Sequence, residues 1–177
     1  MIREVQAAED AAAIAAIYNE YVLHTTISFE TAALTPQAMQ ARIESYAAEC
    51  PYLVFVEDGS IQGYCYAHRW KERAAYARTW ESTIYLSPRA CGKGIGADLM
   101  QELISRCRNS GCRVLIACIT QGNERSCRFH ESLGFSRVSH FRAVGEKFGK
   151  QLDVVDYQLN LDDLRGCTGM ESKSEEV

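Results

Sequence analysis

The feature that most limits the fold is a strand, a glycine-rich turn and a helix in immediate succession, followed by a second strand. Residues 80–86 are an apolar run closed by Ser87-Pro88. Residues 89–97 read Arg-Ala-Cys-Gly-Lys-Gly-Ile-Gly-Ala. From Ile95, apolar side chains return every fourth residue at Leu99, Leu103 and Cys107, with Met100 and Ile104 beside them. That period predicts a helix to about residue 110, which Gly111 stops. Residues 113–120 are a second apolar run. Strand, helix and strand in this order make a βαβ unit, so the two strands are expected to lie parallel. The turn also carries a chemistry. Its glycines let backbone N–H groups point inward with no Cβ in the way, and the helix start adds unpaired N–H groups and a partial positive charge. The expected occupant is a phosphate or pyrophosphate.

Spacing sorts the alternatives for this turn. A nucleotide P-loop needs Ser or Thr after Gly-Lys to hold magnesium, and here Lys93 is followed by Gly94. A dinucleotide fingerprint needs G-x-G-x-x-G, whereas Gly92, Gly94 and Gly96 give G-x-G-x-G. An ordinary glycine turn needs no ligand at all. The pattern that remains is Arg-x-x-Gly-x-Gly, supplied by Arg89, Gly92 and Gly94.

The chain has 177 residues, enough for one domain with a real core, and a formal net charge of -4. That charge speaks against a nucleic-acid-binding protein, which is usually basic. No apolar run reaches the length of a membrane span, and the first residues, Met1-Ile2-Arg3-Glu4, show no signal-peptide pattern. A cytoplasmic protein without a membrane partner is the default expectation. Eight cysteines stand at 50, 65, 91, 107, 112, 118, 127 and 167, with no Cys-x-x-Cys and no histidine pair at metal spacing, so no metal is expected. Cys65, Cys107 and Cys118 lie in apolar patterns and read as small buried hydrophobes; Cys91, in the glycine turn, reads as exposed.

The other elements follow from periodicity and punctuation. Residues 2–5 suggest a first strand, and 7–21 an amphipathic helix with Ile14, Ile17, Tyr18, Tyr21 and Val22 on one face. Residues 24–30 break that period and read as a loop or lid. Thr35-Pro36 opens a helix to about residue 48. Residues 52–57 and 61–67 form a hairpin about Asp58-Gly59. Residues 70–78 are polar and basic. Gly122-Asn123 starts a helix running to about Leu133 and stopped by Gly134, and 135–140 and 154–159 read as closing strands. From Asp162 the chain is charged and serine-rich, giving a domain over 1–161 and a tail expected to be disordered over 162–177.

These residues resemble the GCN5-related N-acetyltransferases, in which Arg/Gln-x-x-Gly-x-Gly/Ala is the acyl-CoA pyrophosphate loop. Glu81-Ser82-Thr83-Ile84-Tyr85, Trp70-Lys71-Glu72-Arg73 with Tyr76, His130-Glu131-Ser132-Leu133-Gly134-Phe135 and Val144-Gly145-Glu146-Lys147-Phe148-Gly149 narrow the likeness. They resemble the phosphinothricin / methionine sulfoximine N-acetyltransferase branch over roughly residues 2–160. The chain departs from that branch at Lys150-Gln151, where relatives usually carry an aromatic residue after Phe-Gly-Arg. The resemblance implies an α/β (α+β) fold: a mixed, mostly antiparallel sheet with one parallel strand pair, flanked by helices. It also implies acetyl-CoA as co-substrate, a small amino-acid-like acceptor and a homodimer. For the cofactor it implies backbone groups of Ile84, Tyr85 and Leu86 beside the pantetheine arm, the turn residues Arg89, Gly92, Lys93, Gly94, Ile95, Gly96 and Ala97, and Asn123 and Ser132. For the substrate it implies Phe29, Lys71, Arg73, Tyr76, Arg78 and Thr83.

Acetyl transfer to an amine needs a proton acceptor, donors for the oxyanion and a route for the thiolate to leave. Strand alternation puts Glu81, Thr83 and Tyr85 on one face and Trp80, Ser82, Ile84 and Leu86 on the other. A carboxylate in an apolar strand is costly unless paired or functional, and burial raises its pKa toward that of a useful base. The alternative is a salt bridge to Arg73 or Arg78. His130 is either a proton donor to the thiolate or a structural histidine. Asn123 either contacts the cofactor or caps its helix, and both fit together. Cations at 71–78 suit a substrate anion, or form a solvated loop. Two rival functions remain: the same fold acting on a protein N-terminus, a polyamine or an aminoglycoside, and a non-catalytic acyl-CoA sensor.

Overall fold

The computed structural model describes residues 1–162. Its strands are β1 (Ile2–Glu4), β2 (Tyr52–Glu57), β3 (Ser60–Arg69), β4 (Thr79–Leu86), β5 (Val114–Thr120), β6 (Ser136–Arg137), β7 (Phe141–Lys147) and β8 (Lys150–Asn160). Its α-helices are α1 (Ala7–His24), α2 (Pro36–Ala47), α3 (Ile95–Asn109) and α4 (Glu124–Ser132). The strands form one sheet in the order β1-β2-β3-β4-β5-β8-β6, with β7 paired to β8. Only β4 and β5 run parallel among these pairs, joined through α3 as the βαβ reading expects.

Local chemistry accounts for the element ends. Asp58 and Gly59 both have positive φ, 49° and 72°, the geometry of the tightest hairpin turn between β2 and β3. The Thr35 hydroxyl accepts from Ala38 N at 3.1 Å and caps α2, with Pro36 in the first helical position. α3 opens on Gly94 at φ 84°. Apolar side chains then fill both faces of the sheet. Leu99, Met100, Leu103 and Cys107 of α3 pack with Leu53, Cys65 and Leu115 on one face. Ile14 and Val22 of α1 and Ile43 of α2 pack with Val54 and Tyr64 on the other. Each such side chain contributes about 1.5–3 kcal/mol by leaving water. Among the described residues no helix is long and apolar enough to cross a membrane.

The C-terminal third differs from the sequence expectation. The strand expected over 135–140 shrinks to two residues, β6, and a further strand, β7, follows it. β8 starts at Lys150 and hairpins back on β7 through Phe148-Gly149, both at positive φ. β7 carries no alternation because six of its seven residues are not buried, so its pattern of burial is absent from the sequence. Its irregularity sits at Ala143, φ 52°, whose N–H donates to Asp153 Oδ1 at 2.8 Å. Cys118 is also a correction: it is exposed on the sheet face, while Cys65 and Cys107 are buried as expected. The tail beyond Asp162 lies outside the described residues.

The edge of the sheet is tied to α1 by one partly buried ion pair. Arg3 donates through Nη1 and Nη2 to Asp10 at 2.7 and 2.8 Å, and Gln6 N donates to the same carboxylate at 2.8 Å. Burial pushes the Asp10 carboxyl up, but the Arg3 and Gln6 bonds outweigh it and leave it below the ordinary range. Asp10→Asn is therefore expected to cost about 2 kcal/mol at neutral pH. Because the folded carboxyl is depressed, this stabilisation is present above the unfolded pKa and lost as pH falls through the folded one, so the difference should shrink in acid. Urea unfolding of both proteins at neutral and acidic pH measures it.

Candidate active site

The site exists because β4 and β5 pair over only three positions, Thr79↔Val114, Trp80↔Leu115 and Glu81↔Ile116. Beyond them β4 stays with β3 as far as Leu86, and β5 stays with β8 as far as Thr120, so the two strands part. The Ser82 hydroxyl bridges the start of the fork by donating to Ile116 O at 3.3 Å. The wedge beyond holds two adjoining chambers of about 480 and 370 Å³, which share Ile27, Ile84, Tyr85, Asn123 and Ser126. The first is lined by Glu81 to Tyr85, Ala117 to Thr120, Phe29, His68 and His130 among others. The second is lined by Ile84 to Leu86, the glycine turn and the start of α4.

The glycine turn has the form the sequence reading requires. The N–H groups of residues 91–96 are bonded to no acceptor among the described residues. A Cβ built on Gly92 or Gly94 meets nothing within 4 Å, and both have positive φ, so their open sides face the second chamber. At Gly96 a Cβ would stand 3.3 Å from Leu86 Cδ1, so glycine there permits helix and strand to approach. These features fit a pyrophosphate: six free N–H groups, a helix start, and space. Ala97 lines the chamber, Ile95 is buried in the core, and Arg89 and Lys93 flank the turn without lining it. Asn123 lines both chambers while its Oδ1 accepts from Ser126 N at 3.3 Å as the cap of α4. Ser132 sits apart, exposed, donating to Phe129 O at 2.7 Å.

Glu81 occupies the apex of the fork, and burial raises its carboxyl above the usual range. The partners that oppose the rise are His68 and Cys118. His68 Nε2 lies 3.8 Å from Glu81 Oε1. The salt bridge to Arg73 or Arg78 weighed from sequence is not formed. His130 is buried, edge-on to Phe129 and Phe135, and burial holds its imidazole below the ordinary value. Its Nδ1 is 2.8 Å from Ser126 O, and a carbonyl only accepts, so Nδ1 carries the proton and Nε2 is left bare.

The structure does not bring all the expected substrate residues together. Thr83 and Phe29 line the first chamber. Lys71, Arg73, Tyr76 and Arg78 line neither chamber. Lys71 Nζ lies over the Trp70 ring at 3.9 Å, and Arg78 is at the closed end of the fork, where its carbonyl accepts from Arg113 N at 2.8 Å. The chamber instead holds residues the sequence reading missed: Tyr18, Ser28, Glu30, Tyr66, His68 and Cys118. Register was the available signal for one of them, since extending β3 by two residues sets His68 opposite Glu81. The loop over 25–30 that roofs the chamber is pinned from three sides. Thr120 Oγ1 donates to Thr26 O at 2.9 Å, Lys147 Nζ to Ser28 O at 2.6 Å, and Tyr18 and Ser28 share a 2.8 Å bond.

Comparison with known proteins agrees with this geometry. A model of the acetyltransferase (GNAT) domain matches residues 2–155. The chain is 39% identical over 155 residues to a phosphinothricin N-acetyltransferase of Alcaligenes faecalis, covering 86% of this chain and 79% of the relative. It is 36% identical over 155 residues to an L-methionine sulfoximine/L-methionine sulfone acetyltransferase of Salmonella typhimurium, covering 87% and 91%. Among solved structures, a GNAT superfamily phosphinothricin acetyltransferase of Sinorhizobium meliloti in complex with acetyl-CoA superposes with a TM-score of 0.88 at 35% identity, covering 99% of this chain and 93% of that one.

Two substitutions probe the two chambers. Gly94→Val places a branched side chain at a positive φ in the open cradle and is expected to weaken CoA binding by about tenfold or more, read by calorimetric titration. Glu81→Gln is expected to raise the thermal midpoint at neutral pH. A carboxyl raised in the folded state costs stability once pH passes its unfolded pKa, so the gain should vanish in acid below the ordinary carboxylate range.

Proposed function

The chain belongs to the acetyltransferase (GNAT) family of acyl-CoA-dependent enzymes, and from that premise we propose that it acetylates the amino group of a small amino-acid-like substrate. The substrates we favour are phosphinothricin, methionine sulfoximine and methionine sulfone, the types that name the relatives. The observation that carries this reading is the position of Glu81: a half-buried carboxylate at the apex of the fork, in a chamber that adjoins the N–H-lined turn. Acetyl-CoA supplies the activated acetyl group. Its pyrophosphate is assigned to the N–H groups of residues 91–96, and its pantetheine arm to the backbone of Ile84, Tyr85 and Leu86. Leu86 O already accepts from Tyr21 OH at 2.6 Å, which holds this edge of β4 in place.

The transfer is direct, with both substrates bound. Glu81, held as a carboxylate, takes a proton from the substrate ammonium, and the free amine attacks the acetyl carbon. A backbone N–H on the opened edge of β4 donates to the oxyanion. Neutral His130 has its one N–H engaged by Ser126 O, so protonation of the departing thiolate requires His130 to be charged first or falls to the attacking amine's second proton. Lys71 and Arg73, just beyond the end of β3, are assigned to the substrate's anionic group on the strength of the family likeness alone, since neither lines a chamber. Phe29 and Thr83 are its contacts inside. The homodimer is assigned to the β7–β8 hairpin, where Phe141, Val144 and Phe148 are 49–58% exposed.

One observation favours a second reading, another small amine such as a polyamine. The first chamber is lined by Glu81 and by Glu30, which is paired with Arg42 at 2.7 Å, and by no lysine or arginine.

A panel of amines decides. Release of CoA thiol from acetyl-CoA is expected with methionine sulfoximine, methionine sulfone or phosphinothricin, after correcting for the reactive cysteines of the chain. Turnover confined to spermidine would establish the second reading. With any accepted amine, kcat/KM should fall as pH drops through the raised Glu81 titration, and Glu81→Gln should lose about 10²-fold or more in turnover with CoA affinity retained.

A further inference from the structure

Acetyl transfer to an ammonium releases one net proton per turnover. The ammonium gives one proton to the base, and its second N–H proton ends on the CoA thiol. R–NH3⁺ and acetyl-CoA thus give the amide, CoA–SH and H⁺. Glu81, half-buried in the chamber that substrate fills, must discharge that H⁺ before it can act again. Two directions lead away from its carboxylate along the sheet face, and they are not equivalent.

Toward β5 stands Cys118, with Asp156 of β8 in register behind it. The thiol contacts both carboxylates, and burial together with their charges raises its pKa, so it stays an S–H donor. A held thiol proton closes that side, because the sulfur has no basic lone pair to offer.

Toward β3 stands His68, in direct register with Glu81. Its Nδ1 is 2.9 Å from Arg69 O, and since a carbonyl only accepts, Nδ1 carries the proton. Nε2 is then a bare lone pair, and it is this atom that lies 3.8 Å from Glu81 Oε1. The His68 ring is stacked on Tyr46 of α2 at 5.0 Å, with Tyr66 at 6.0 Å, which fixes its plane. Its side chain is 23% exposed, so the same ring reaches both the carboxylate and water. The neighbouring Arg69 is spent on Glu49. Across the chamber stand Glu30 and His130.

We propose that His68 is the proton exit of this enzyme: Glu81–COOH passes its proton to His68 Nε2, and the imidazolium releases it to solvent, restoring the carboxylate. This rests on the acetyltransferase reading with Glu81 as base. His68 acts through Glu81 and touches no reacting atom, so it is a positioning and relay residue.

The test compares wild type with His68→Gln and His68→Ala, using whichever amine wild type accepts, at low buffer concentration. The expected result is a fall in kcat of about tenfold or more with KM for both substrates within about twofold. In the variants, and not in wild type, kcat should rise with added imidazole, which replaces the missing acceptor. A variant with wild-type kcat overturns the proposal. So does a loss that imidazole does not restore, or an imidazole-dependent rate in Asp156→Asn in place of the His68 variants. A second readout does not depend on turnover: the Glu81 carboxyl, followed by carbon NMR against pH, should titrate higher in His68→Gln, because the ring that lowers it is gone. An unmoved Glu81 titration overturns the relay even in a protein that accepts no amine, whereas a wild type that accepts none while the titration moves overturns only the acetyltransferase reading.

Discussion

Everything at this site depends on three pairs of residues and the absence of a fourth. A parallel pair held over Thr79 to Glu81 and Val114 to Ile116 is long enough to fix the relative height of β4 and β5. It is too short to close the sheet beyond them. Each strand keeps its other neighbour, β3 for β4 and β8 for β5, so the parting costs no loss of strand order. What it leaves is a pair of backbone edges without ladder partners, normally an unfavourable arrangement. The chain satisfies part of it with side chains: Ser82 reaches Ile116 O and Tyr21 reaches Leu86 O. The remainder is the opening into which an extended ligand arm fits as a strand would.

The roof of that opening has a different origin. The loop over 25–30 has no regular structure of its own, and its position is set by bonds from elements distant in sequence: Tyr18 in α1, Thr120 at the end of β5 and Lys147 at the end of β7. Lys147 is the costly member. It is 3% exposed, and burial lowers its ammonium below the ordinary range. Gly145 completes the clamp, since a Cβ there would lie 2.2 Å from the Phe29 ring. The β7–β8 hairpin therefore does two things. Its inner side holds the roof, and its outer side presents Phe141, Val144 and Phe148 to solvent.

The parts legible in sequence were those whose cause is local. The glycine turn, the α3 period, the Asp58-Gly59 hairpin and the Thr35 cap each follow from a few adjacent residues, and each is where spacing puts it. Glu81 was legible because a carboxylate in an apolar strand needs a reason. The parts that were not legible depend on register and on long loops. His68 is an ordinary polar residue at a strand end until β3 is laid against β4. Cys118 looks like a core thiol until the fork removes the neighbour that would have covered it. Register also decides Arg78 in the basic stretch over 71–78. Its nearness in sequence to Glu81 is real, but Arg78 lies on the closed side of the fork while the chamber opens on the other.

The two histidines show what the chamber is built to do with protons. In each, Nδ1–H is engaged by a backbone carbonyl, that of Arg69 for His68 and that of Ser126 for His130. Each ring then keeps a bare Nε2, and both rings line the first chamber with Glu81. The Glu81 carboxylate and the bare Nε2 atoms of the two rings are acceptors there, and the donors are hydroxyls and the Cys118 thiol. Such a site is poor at pushing a proton onto a leaving group and well suited to pulling one off an ammonium. The raised Glu81 carboxyl and the lowered His130 imidazole move toward each other, which is the condition for passing a proton between groups without a deep trap. In the transfer proposed above the burden then falls on making the amine nucleophilic, with the thiolate leaving on the amine's own second proton.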